Sequence, residues 1–131
     1  MKQKVQAEVL FDNGFNGELL LKEGSVPIGT GANQTSPYRM LQGALISCFH
    51  YTFLDIINKK RVTYEQVRYV TNGEKRDEVL ATLEVLHIDI YIKNASNQVA
   101  VEKSYLLATK VCSIYQTLSH VAEMSYAIHF E

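Results

Sequence analysis

The chain has 131 residues, a formal net charge of −1, and 47% hydrophobic against 21% charged residues, the size and composition of one globular domain with enough apolar mass for a core. So small a net charge gives no electrostatic reason to expect nucleic acid or an anionic membrane surface as a partner. The N-terminal residues lack the basic-then-apolar pattern of a signal peptide, and two cysteines in a cytoplasmic setting point to packing or redox use before structural disulfides.

In chain order, "KVQAEVLF" (residues 4–11) alternates, placing Val5, Ala7, Val9 and Phe11 on one face of a strand. "DNG" is a turn signal and "GELLLK" (17–22) the returning strand, which predicts a hairpin. The Gly-rich stretch "GSVPIGTGANQT" (24–35) lacks the lysine of a phosphate-binding loop and reads as a connector.

Ser36 followed by Pro37 is a strong helix start, since serine can cap free N–H groups and proline is tolerated at the first helical position. The helix is expected to run to about Lys60, where "NKKR" places cations near the negative end of the dipole. Such a helix is roughly 37 Å long at ~1.5 Å per residue. Its apolar run is broken by Gln42, Ser47, His50, Thr52 and Asp55, which makes it a poor membrane span and a good core helix buried on most sides.

Residues 62–71 and 79–93 alternate again and read as two strands joined by the solvated loop "NGEKRDE". In the second strand Leu80, Leu86, Ile88, Ile90 and Ile92 are core candidates, with Glu84 breaking the row. Ser96 or Asn97 can cap a second helix over about 98–111, which sets Val101, Tyr105, Ala108 and Cys112 at helical spacing. A helical turn, "SIYQTL", follows, and the last segment alternates Ala122, Met124, Tyr126, Ile128 and Phe130 against Val121, Glu123, Ser125, Ala127 and His129. The resulting order, β-β-α-β-β-α-β, predicts an α+β fold as a single domain over residues 1–131. So few elements cannot cover a long apolar helix on every side, which predicts a homodimer with a large interface.

Cys48, in the middle of that helix, is either packing or a reagent. Redox chemistry needs a thiolate, a second thiol within reach, and a group that lowers the first pKa. Cys48 lies about three turns into its helix, beyond strong action of the N-terminal dipole. Leu41, Ala44, Thr52 and Asp55 share its face, and Arg39 points to the opposite side. Cys112 carries the same two readings. His50 points some 160° away from Cys48, which disfavours a Cys–His pair. His120 and His129, with Glu123 and Glu131, are spaced too widely on a strand to converge on one metal ion. Tyr38, Tyr51 and Phe53 read as core or interface aromatics.

Two segments carry a family resemblance. "TSPYRMLQGALISCF" and "ATKVCSIYQTLSHVAEMSYAI", in this order of elements, resemble the two cysteine segments of the OsmC/Ohr family, the osmotically inducible protein C and organic hydroperoxide resistance proteins. The resemblance covers nearly the whole chain. It implies an intertwined homodimer with thiol sites near the subunit interface, and a thiol-dependent peroxidase active in oxidative stress. It implies Cys48 as the peroxidatic cysteine, Cys112 as the resolving cysteine, a hydroperoxide substrate, an external dithiol reductant, and no metal or organic cofactor. The chain departs from the family pattern at three positions. Phe15, in "GFNG", stands where peroxidase members carry an activating Arg, Tyr38 stands where they carry a Glu, and Ser113 follows Cys112 in place of Pro. The missing Arg and Glu motivate an alternative, a non-catalytic relative that binds a small hydrophobic ligand at the dimer interface. A third reading leaves the cysteines as inert core residues.

Overall fold

Asp12 turns the chain back on itself. Its carboxylate accepts the Gly14 N–H at 2.9 Å and the Asn16 side-chain amide at 3.0 Å, the local bonding expected of a "DNG" turn. In the computed structural model, which describes residues 1–131, this turn joins β1 (Val9–Phe11) to β2 (Gly17–Leu20). A third strand, β3 (Ser25–Ile28), completes an antiparallel sheet of order β1-β2-β3. This strand lies inside the stretch read as a connector. Its flanking glycines and Pro27 mask it in the sequence, and Pro27 is accommodated because β3 is an edge strand. Gly24, at φ +84°, makes the bend between β2 and β3 in a conformation that favours glycine. β1 is shorter than its alternation predicts: residues 4–8 lie outside it, and Val5, Val9 and Phe11 are exposed.

The chain forms two compact units, Met1–Gln42 and Gly43–Glu131. Helix α1 (Pro37–Ile57) starts in the first and continues into the second. Ser36 caps it, its Oγ accepting the Arg39 N–H at 3.3 Å. A 3-10 turn, Asn58–Lys60, extends it, and Arg61 at φ 56° ends it in a left-handed conformation.

Leu45, Phe49, Phe53 and Ile57 are each 0% exposed, a single stripe at i, i+4 spacing. The expected burial on most sides is therefore not met within one chain. Ser47 and Asp55 are exposed and Tyr51 is 74% exposed. Pro37–Lys60 is long and apolar enough to cross a membrane by length and composition; here its buried stripe packs into the protein core.

The second sheet has the order β4-β5-β6, formed by β4 (Gln66–Lys75), β5 (Leu83–Lys93) and β6 (Glu123–Phe130). β4 runs antiparallel to β5, and β6 parallel to it. A parallel neighbour requires a crossover, supplied by α2 (Gln98–Val111) and α3 (Ser113–Ser119). β4 extends to Lys75, three residues further into "NGEKRDE" than Asn72, the first residue of the expected loop. Leu80 is not a core residue: it sits at φ 64°, 83% exposed, and Leu83 faces inward.

Leu86, Ile88, Ile90 and Ile92 are fully buried, as their alternation predicts, and Val101, Tyr105, Ala108 and Cys112 are fully buried with them. Asn97, not Ser96, caps α2 by accepting the Ala100 N–H at 3.0 Å. The Tyr105 ring stacks on Phe53 with centroids 4.0 Å apart, while Phe49 lies 5.6 Å from Tyr105 and 5.5 Å from Tyr115. Burial of each such side chain stabilises by about 1.5–3 kcal/mol. Two tyrosine hydroxyls of this cluster are paired: Tyr105 bonds Tyr69 at 2.8 Å, and Tyr69 bonds His50 Nδ1 at 2.7 Å. The full order is β-β-β-α-β-β-α-α-β, an α+β fold with one strand more than expected and the short helical turn present as α3.

Candidate functional site

Cys112 stands where α2 ends and α3 begins. Its N–H closes α2 on the Ala108 carbonyl at 2.9 Å. Its Sγ accepts the Tyr115 N–H at 3.5 Å and so caps α3. An extended backbone, φ −72° and ψ 115°, separates the two helices and aims the sulfur inward. The side chain is 0% exposed.

Cys48 precedes Phe49 of the buried stripe and lies about 100° round the helix from it, which leaves its thiol partly exposed at the rim of the core. Cys112 Sγ donates to Cys48 Sγ across 3.3 Å. A disulfide requires about 2.05 Å, so these are two free thiols in contact, and bridging them needs a movement of little more than an ångström.

The two thiols differ in acidity. Burial pushes Cys48 up, but hydrogen bonds from the Ile114 N–H, the Cys112 thiol, and the Ser113 hydroxyl and N–H outweigh it, and its pKa falls below the ordinary thiol value. For Cys112 burial dominates and the pKa is raised. The pair thus consists of a more acidic thiol at the rim and a less acidic, buried thiol that donates to it. This arrangement suits nucleophilic attack by the first sulfur followed by condensation with the second.

The groups that lower Cys48 are uncharged, and they come from the start of α3. Sequence reasoning sought a cation for this role and missed Ser113, whose Oγ lies 4.0 Å from Cys48 Sγ. The adjacency of Ser113 to Cys112 was the available signal. Asp55 is not among the groups acting on the thiol. Phe15 is half exposed and stacks on Phe11 at 5.7 Å in the first hairpin. The carbonyl of Tyr38 accepts the Gln42 side-chain amide at 2.9 Å in the first turn of α1. His50 is bonded to Tyr69, away from the thiols, as its angular offset predicts.

A second polar cluster lies on the opposite face of the β4-β5-β6 sheet. His129 Nε2 bonds Asp89 Oδ1 at 2.8 Å, and His87 Nε2 bonds the same oxygen at 3.2 Å. His87 Nδ1 bonds Ser125 Oγ at 2.8 Å. Hydrogen bonding from His129 holds the Asp89 carboxyl below the usual carboxylate range. The sequence grouped His129 with His120 instead, because the parallel pairing of β5 with β6, which sets His129 beside Tyr91, has no local signature.

The chain matches the OsmC-like protein family over residues 29–126. No curated protein matches it. Among solved structures, an OsmC-like protein from Mycoplasma pneumoniae superposes with a TM-score of 0.87 at 14% identity, covering 99% of each chain. A hypothetical protein from Aquifex aeolicus superposes at 0.82 and 19% identity, covering 100% of this chain and 99% of that one. The organic hydroperoxide resistance protein OhrB of Bacillus subtilis superposes at 0.69 and 13% identity, covering 95% of this chain and 98% of that one. At these identities the structures speak for the fold, and the match across residues 29–126 speaks for the family: the chain belongs to the OsmC-like proteins.

Proposed function

We propose that the protein is a cytoplasmic thiol-dependent peroxidase that reduces organic hydroperoxides. The observation that carries this reading is the contact of Cys48 with Cys112 at 3.3 Å, with the first thiol made more acidic and the second less. Cys48 is the peroxidatic cysteine. Its thiolate attacks the distal oxygen of ROOH, the O–O bond breaks, and the departing alkoxide takes a proton to leave as ROH. Sulfur is oxidised to the sulfenic acid and the peroxide is reduced. Cys112, the resolving cysteine, then displaces hydroxide from that sulfur. The disulfide forms, water leaves with the Cys112 proton, and an external dithiol returns both thiols at the cost of its own oxidation. The organic hydroperoxide resistance proteins among the structural neighbours support this substrate class.

The functional unit is a homodimer on this reading. Its support is the single buried stripe of α1 together with exposed Tyr51, and with Leu106, Leu107 and Val111 exposed on α2. Sedimentation at micromolar concentration is expected to give a dimer, and a stable monomer would overturn this part.

A second reading, a diverged relative that binds a small hydrophobic ligand at the dimer interface, draws support from the acidification of Cys48 by uncharged groups alone. One experiment separates the two. The reduced protein is treated with stoichiometric tert-butyl hydroperoxide, and thiols are followed by titration and mass. Rapid loss of both thiols to an intramolecular disulfide supports the peroxidase. Thiols that survive excess oxidant for an hour rule it out and leave the binding role.

A further inference from the structure

Cys48 Sγ meets two side chains from the junction of α2 and α3: Cys112 Sγ at 3.3 Å and Ser113 Oγ at 4.0 Å, the outer reach of a hydrogen bond to sulfur. They differ in what becomes of them. Cys112 is buried, and its thiol proton is lost once a disulfide forms. Ser113 is exposed at the mouth of the site and keeps its O–H throughout. It also presents its backbone N–H to the same sulfur.

We propose that Ser113 is the positioning residue that holds Cys48 as a reactive thiolate, its hydroxyl donating to the sulfur on the solvent side while Cys112 donates from the core side. This rests on the reading of Cys48 as the reacting thiol. A hydroxyl suits the position for three reasons. It is short and is fixed by the first turn of α3. It rotates freely to donate. It carries no charge that would have to be desolvated beside a partly buried sulfur. A hydroxyl donor stabilises a thiolate less than a cation does, so the thiol is activated moderately.

Three substitutions test it. Ser113→Ala removes the hydroxyl and keeps the N–H. Ser113→Thr restores the hydroxyl. Ser113→Pro removes both donors at the first position of α3, where proline is tolerated. Iodoacetamide alkylation of the reduced proteins is followed against pH, with mass spectrometry separating the Cys48 and Cys112 peptides. Ser113→Ala is expected to move the Cys48 midpoint upward and slow its alkylation at neutral pH by roughly threefold. Ser113→Thr is expected to stay near wild type, and Ser113→Pro to slow the reaction by about tenfold or more. A Cys48 midpoint unchanged in Ser113→Ala overturns the role of Ser113.

The alkylation readout is independent of hydroperoxide turnover. A wild-type protein whose thiols ignore hydroperoxide, but whose Cys48 midpoint moves in Ser113→Ala, keeps the role of Ser113 in acidifying the thiol and loses the peroxidase. The reverse result keeps the peroxidase and loses Ser113.

Discussion

Cys112 donates to Cys48 at 3.3 Å while accepting the Tyr115 N–H at 3.5 Å, so the cap of α3 fixes where the second sulfur stands. If Cys48 reacts and Cys112 resolves, the two single variants must fail differently. In Cys112→Ser, one equivalent of hydroperoxide is expected to leave Cys48 as a persistent sulfenic acid, trapped by dimedone as one adduct. In Cys48→Ser, the remaining thiol, raised by burial, is expected to react at least about tenfold more slowly. Equal rates in the two variants would sink the assignment of roles.

His50 gives the fold a pH dependence near neutrality. Burial lowers its pKa below the ordinary 6.5, and the neutral ring is held against the Tyr69 hydroxyl. As pH falls below about 6.5, the unfolded chain takes up a proton that the folded chain resists, so stability declines from there toward the lower folded pKa. Asp12 and Asp89, both held below the usual 3.8, lose their contributions in a separate and more acidic window. Urea midpoints measured at about pH 7.5 and about pH 5 should therefore differ more in wild type than in His50→Gln. The same difference in both would remove His50 as the cause.

Much of this architecture was legible because periodicity reports burial. Val101, Tyr105, Ala108 and Cys112 at helical spacing, and Leu86, Ile88, Ile90 and Ile92 at strand spacing, are all fully buried. The features that escaped depend on pairing, which sequence spacing does not encode. β3 hid among turn residues that also suit an edge strand. The His87–Asp89–His129 cluster needs β6 beside β5. The contact of Cys48 with Cys112 joins positions 64 apart. Its acidifying groups were sought as a cation and are donors at the start of α3.

Leu80 was misread because its place in an apolar alternation says nothing about backbone sign. Its φ of 64° lies in the left-handed region, and the side chain is 83% exposed. An L-residue there costs roughly 1–2 kcal/mol, part of which glycine recovers against its larger unfolded-state entropy. Leu80→Gly is accordingly expected to stabilise by about 0.5–1 kcal/mol, a rise in Tm of about 2–5 °C. A lower Tm would mean that the loop between β4 and β5 draws support from the leucine side chain.

Phe53 and Tyr105 test whether ring packing or hydroxyl bonding secures the core. The rings lie 4.0 Å apart and 3° from parallel, and both side chains are 0% exposed. Phe53→Ala leaves a cavity that the stripe of α1 cannot close and should cost about 3–5 kcal/mol. Tyr105→Phe keeps the stack and removes one hydroxyl, while Tyr69 retains its bond to His50 Nδ1 at 2.7 Å. Its cost should be about 1 kcal/mol. Urea denaturation of the two variants measures both values in the same background. If Tyr105→Phe proves as damaging as Phe53→Ala, the hydroxyl chain from His50 through Tyr69 to Tyr105 carries more of the fold than the stack does.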